Sequence, residues 1–208
     1  QTIEELYLSQ DVELQIIRSQ ALSSDRSTKM LALQSIRSMV ESGTLTSADS
    51  QMFTVLESLA TEGTRREVRS GGTIVNNFPE IRRQAVSLLG EVGGDEAKQV
   101  LTTVLEVEEE PMVQAEAVYA LGQLEDDRDS RSLDRIARVL SRENAKRAPD
   151  NNLAFASMLA IEKIANRTGG ISDPEVINAL LGVTSGSYIR DVRLKAIDVI
   201  YQLRGGEG

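Results

Sequence analysis

Three observations in the sequence predict an all-α fold of stacked antiparallel helical hairpins. Apolar positions recur at helical spacing along most of the 208 residues. Aromatics make up only 3% of the chain and Trp is absent, so the core is built from Ala, Leu, Ile and Val. Such small aliphatics suit close helix–helix contact better than a large β-sandwich. The chain also repeats itself. The strings "PEIRRQAVSLLGEVG" (79–93), "PMVQAEAVYALGQLE" (111–125) and "YIRDVRLKAIDVIYQLRG" (188–205) share one pattern. Each has an aliphatic residue, a polar or basic one, two spacers, an Ala pivot, and then apolar residues at helical intervals.

Taken in order, "SQDVELQIIRSQALSS" (9–24) reads as an opening helix that caps the array. "STKMLALQSIRSMVESG" (27–43) follows with Ala32 as its pivot. A partner helix is expected at about 46–61, with Ser47 as N-cap. After a long segment, 62–78, the repeat resumes at Pro79 with pivot Ala85, and its partner spans 95–109 from an Asp95 cap. The next first helix turns on Ala117 and its partner spans 130–144 from Ser130. "NLAFASMLAIEKIANRTGG" (152–170) fits with Ser157 in the pivot place. Its partner, 173–184, is signalled by Asp173 and by Pro174 at the first helical position. The last first helix turns on Ala196. Gly43, Gly93, Gly169 and Gly186 mark helix ends. A small pivot allows two helices to approach closely, and the aliphatics beyond it fill the seam. Residues 1–208 therefore read as one repeat domain: capping helices and first repeat over 9–61, an inserted loop at 62–78, and further repeats over 79–205.

The strings Ile81-Arg82-x-x-Ala85 and Asp191-Val192-Arg193-x-x-Ala196 resemble the first helix of HEAT repeats, including the short lyase-like variety. Gln114 and Ser157 depart from that pattern. Tetratricopeptide repeats share the period, but their Trp/Tyr and closing Pro signature is absent. The resemblance implies a non-enzymatic scaffold or adaptor that binds another protein. It also leaves two alternatives: a bilin-lyase-like enzyme, or nucleic-acid binding as in HEAT-like DNA glycosylases.

Composition narrows these. Without Cys or His there is no thiol nucleophile, no disulfide and no usual zinc ligand set, and the side chain best suited to proton transfer near neutral pH is missing. Few aromatics are present to stack a tetrapyrrole. A formal net charge of −9 argues against a nucleic-acid groove. We therefore expect no catalytic residues, no cofactor, no metal and a protein partner. No stretch of 18 or more apolar residues exists, so a membrane-spanning helix is not expected. The start at Gln1 fits removal of a signal peptide, hence export to the periplasm or cell envelope; otherwise the composition suits the cytoplasm.

Within this acidic chain the basic residues are placed unevenly. "RSLDRIARVLSRENAKR" lines up Arg131, Arg135, Arg138 and Arg142 at i, i+4, i+7 and i+11, within about 60° on one helix face. Two readings stand. Either they pair with Glu106 and Glu110 of the preceding partner helix, or they form a groove that reads an acidic peptide or phosphate. Pivot spacings of 53, 32, 40 and 39 place excess residues at 62–78 and 143–152. Both inserts lie between repeats, so both are expected on one edge of the array. Both are basic, with Arg65, Arg66 and Arg69 in one and Lys146 and Arg147 in the other. "Ser70-Gly71-Gly72" reads as a flexible elbow and "Thr73-Ile74-Val75" as apolar enough to dock. The first insert is either a mobile insertion or a partner contact; "RSGGT" lacks the phosphate-cradling Gly-x4-Gly-Lys pattern. The turn at 125–130, with Glu125, Asp126, Asp127 and Asp129, reads as an acidic edge without the ligand alternation of a calcium loop.

Overall fold

The structure, a computed structural model, describes residues 3–47, 49–124 and 131–204. Its elements in chain order are α1 (Ile3–Leu22), α2 (Arg26–Glu41), α3 (Ser50–Ala60), β1 (Arg69–Ser70), β2 (Thr73–Ile74), α4 (Pro79–Val92) and α5 (Gly94–Val107). They continue with α6 (Pro111–Gln123), α7 (Arg131–Asn144), α8 (Asn151–Thr168), α9 (Pro174–Ser185) and α10 (Arg190–Arg204). The fold is all-α, of the stacked-hairpin solenoid class. The chain forms two compact units, residues 1–100 and 101–208. In the first, α1 packs on α2 and α3, and α4 packs on both α2 and α3. In the second, the first helices α6, α8 and α10 pack in series, α7 packs on α8 and α9, and α9 packs on α10.

The pivots sit where the repeat pattern requires. Ala32, Ala85, Ala117 and Ala196 are all fully buried, and so is Ser157. The serine is accommodated because its hydroxyl donates to the Leu153 carbonyl of its own helix at 2.8 Å. Gly122 shows how close the helices come. A Cβ placed there would lie 2.7 Å from Ala160 Cα, so α6 and α8 touch almost backbone to backbone.

The polar position three residues before the pivot has a structural task. Lys29 and Arg82 are 2% exposed and Gln114 is buried as well. Lys29 Nζ donates to the Ala21 carbonyl at 2.7 Å, an Arg82 Nη to Glu62 at 3.1 Å, and Gln114 Nε2 to Glu108 at 2.6 Å. Each therefore satisfies a carbonyl of the segment just before its own helix, which would otherwise be an unpaired buried acceptor. Arg193, at the matching place in α10, is exposed.

Helix boundaries differ from expectation where the chain offers a competing partner. α1 starts at Ile3 rather than 9, since good helix formers run through the segment without Pro or Gly. α3 starts at Ser50, not after Ser47. Asp49 turns its carboxylate back to the Thr46 amide at 2.8 Å and leaves the helix uncapped. α5 begins at Gly94, so Asp95 lies in its first turn. α8 has a cap that was not foreseen, with Asp150 accepting from the Leu153 amide at 2.8 Å. Asp173 caps α9 as expected, by accepting from the Glu175 amide. Gly186 ends α9 with an ordinary φ of −81°. Ser130 and the acidic turn at 125–130 lie outside the described residues.

Candidate partner-binding surface

The 62–78 insert is a built hairpin. β1 and β2 pair antiparallel, Arg69 opposite Ile74 and Ser70 opposite Thr73. Gly71 and Gly72 take φ of 57° and 83°. Two successive positive φ values make the two-residue turn whose twist matches paired strands, which only glycine adopts without strain. The Val75 amide extends the ladder to the Val68 carbonyl at 2.8 Å. Asn76 is buried and clamps the base: its Oδ1 accepts from the Val68 amide at 2.8 Å and its Nδ2 donates to the Arg66 carbonyl at 2.7 Å. From α4, Arg82 holds both ends, through the Glu62 carbonyl and through Asn77 Oδ1 at 2.7 Å. The expectation of a flexible elbow at Ser70-Gly71-Gly72 is corrected accordingly: the glycines close a tight turn. Nor does Thr73-Ile74-Val75 bury itself, because Thr73 and Val75 are exposed and Ile74 is half-buried.

With the backbone satisfied internally, the basic side chains point outward. Arg65 pairs with Glu57 at 3.0 Å, and Arg69 pairs with Glu67 at 2.6 Å while donating to the Gly72 carbonyl. Arg66 is exposed and has no side-chain partner among the described residues.

The second insert follows α7. Lys146 pairs at 2.6 Å with Glu143, which is itself buried and accepts from the Asp150 amide at 2.6 Å. Arg147 is exposed and has no side-chain partner among the described residues.

On α7 the arginine stripe is real: Arg131, Arg138 and Arg142 are exposed and Arg135 is half-buried, while Leu133, Ile136, Ala137 and Leu140 are buried. Arg135 pairs with Glu106 of α5 at 2.5 Å, and Arg142 donates to the Leu105 carbonyl at 3.2 Å. Glu110, the other expected partner, is not on α5 at all. α5 ends at Val107, and Glu110 is the N-cap position of α6. Buried Glu108 holds the connection between these helices by accepting from the Glu109 and Glu110 amides at 3.0 and 2.9 Å. Arg135, Arg138 and Arg142 line one open depression of about 470 Å3 with Leu105, Glu106 and Ser141.

The family model for HEAT repeats matches residues 72–149. Over these residues the chain is similar to HEAT repeats. No curated protein and no solved structure matches the chain. The matched segment carries α4 to α7, and so includes Arg82, the whole α7 stripe and the first seven residues of the second insert, 143–149. Sequence reasoning singled out the motif position of Lys29 and Arg82 but not its role, and it passed over Asn76, Glu108 and Glu143. The signal for the first two was the recurrence of a polar residue three places before the pivots Ala32, Ala85, Ala117 and Ala196. Among the described residues, no group of three Asp or Glu side chains is arranged to hold a metal ion, and no helix is long and apolar enough to cross a membrane.

Proposed function

We propose that the chain is a non-enzymatic protein-interaction scaffold that contacts an anionic partner through its basic inter-repeat segments. HEAT repeats serve protein interaction in general. The observation that carries the finer reading is the build of the 62–78 hairpin. Asn76 and Arg82 hold its backbone, while Arg66 projects from it unpaired and exposed. An exposed cation that does nothing for the fold is available for recognition, and guanidinium suits carboxylate. The bilin-lyase-like and nucleic-acid readings draw no support from the charge or the residue inventory.

Rim charges act mainly on association rate and its salt dependence. With a partner isolated by cross-linking from the native source, Arg65, Arg66 and Arg147 changed to Ser should slow association several-fold at low salt, with thermal stability little changed. Arg135, Arg138 and Arg142 changed to Ser should leave association near wild type. The reverse outcome would move recognition to the α7 face.

A further inference from the structure

Residues 1–100 contain an open cleft of about 760 Å3. It lies where the C-terminal end of α1 and the start of α2 face α3 and the base of the hairpin. Four cations line it, and two of them are answered by two carboxylates. Lys29 is buried against Glu62 at 2.8 Å, and Arg65 meets Glu57 at 3.0 Å. The remaining two, Arg18 on α1 and Arg66 on the insert, are exposed and have no side-chain partner among the described residues. A surplus of positive charge in a chain of net −9 is thus gathered in one concave place. The same cleft is lined by two apolar side chains that the fold leaves in water. Leu22 is 70% exposed and Val68 is 51% exposed.

We propose that this cleft binds an acidic peptide segment carrying leucine or phenylalanine between its carboxylates. The proposal rests on the reading that the chain recognises an anionic protein. Carboxylates would meet Arg18 and Arg66, where guanidinium offers paired donors. The apolar side chains would cover Leu22 and Val68. The volume falls within the range of sites that enclose small ligands or side-chain clusters. A phosphate fits less well. The start of α2, whose Lys29 lines the cleft, has its Thr28 amide capped by the Asp25 carboxylate at 2.7 Å. Phosphate also gives Leu22 and Val68 nothing to contact.

The test uses the full chain and fluorescein-labelled ten-residue peptides in anisotropy titrations. One peptide alternates Asp and Glu with Leu and Phe, a second replaces the acids by Lys, and a third replaces Leu and Phe by Ser. The first should bind, the second should not, and the third should bind at least fivefold more weakly. The double variant Arg18→Glu/Arg66→Glu should lose at least tenfold in affinity for the first peptide, with an unchanged thermal midpoint because both side chains are exposed. If that variant binds like wild type while Arg138→Glu/Arg147→Glu does not, the cleft is wrong and the anionic-partner reading stands. If wild type ignores the acidic peptide even at low salt, both are overturned. Equal binding of the third peptide, or full displacement by millimolar inorganic phosphate, would reduce the site to a general anion site and overturn the peptide assignment.

Discussion

The arginines of α7 and those of the 62–78 hairpin carry the same charge, yet the fold treats them differently. On α7 they stand on a helix whose neighbour, α5, presents Glu106 and the Leu105 carbonyl, and two of them find partners there. On the hairpin the backbone is closed by Gly71 and Gly72, Asn76 and Arg82; Arg65 and Arg69 pair with Glu57 and Glu67, and Arg66 is left without a side-chain partner among the described residues. Helical spacing makes a basic stripe conspicuous in the sequence, and that same regularity brings it against a second regular element able to neutralise it. A basic loop is less conspicuous and more available.

The largest effect expected from this contrast falls on a buried arginine. Arg82→Ala removes a guanidinium that satisfies the Glu62 carbonyl and Asn77. Leaving those acceptors unpaired should cost about 2–4 kcal/mol in denaturant unfolding. The Val68 and Val75 amides should then exchange hydrogen far faster, since the hairpin loses its anchor to α4. Unchanged exchange would mean that Asn76 holds the insert alone. Next come the close helix contacts. Gly122→Ala drives a Cβ to within 2.7 Å of Ala160 Cα, and Ala117→Leu overfills a fully buried pivot. Each should destabilise by about 1–3 kcal/mol. A neutral Gly122→Ala would show that α6 and α8 separate freely.

The two basic regions also divide what was legible in the sequence. Repeat period, pivots and first helices were readable because each is a local pattern at 3.6-residue spacing, and Ser157 could be placed by register even though its type departs. The hairpin was not, because its cause is distributed: Gly71 and Gly72 supply the turn, but Asn76 and Arg82 act from 8 and 20 residues beyond Val68 and Glu62 respectively. "Thr73-Ile74-Val75" offered too short a run to show period-2 alternation. Glu110 was misplaced for a related reason. "EVEEE" continues helical charge patterning, and only the Glu108 carboxylate folding back onto the next two amides ends α5. On the candidate sites, the arginines were visible as types and positions; their pairing depended on contacts no single stretch contains.

A smaller, pH-dependent effect concerns the second unit. Tyr188 is buried, donates to Asn144 Oδ1 at 2.7 Å, and sits near Glu143 and Asp150. Burial first, and then the two carboxylates, raise its pKa well above the ordinary value of 10.0. The folded state thus keeps a proton that the unfolded chain loses. The associated stability is fully present below pH 10 and declines as pH rises beyond it. Tyr188→Phe should flatten that alkaline decline in thermal melts from pH 8 to 11, at the cost of one hydrogen bond, about 1 kcal/mol at neutral pH. A decline equally steep in the variant would assign it to other groups.

The smallest effect expected is that of the Arg135–Glu106 pair, and it bears most directly on the difference between α7 and the hairpin. Both side chains remain over a third exposed, at 37% and 44%. Water and salt therefore screen the pair, and fixing two long side chains carries an entropic cost. A double-mutant cycle with Arg135→Ala and Glu106→Ala should give a coupling of about 0.2–1 kcal/mol, shrinking as salt rises. Arg138, exposed in the same depression and without a side-chain partner among the described residues, should give no coupling to Glu106. If the Arg135 coupling instead exceeded about 2 kcal/mol and ignored salt, the stripe would be a structural fastener rather than a solvated ladder. Its arginines would then have no freedom to meet a partner, and the hairpin would stand as the more available of the two basic regions. A coupling indistinguishable from zero leads the other way. Arg135 would exchange Glu106 for an external carboxylate at little cost, and the α7 face would be as open to recognition as the loop.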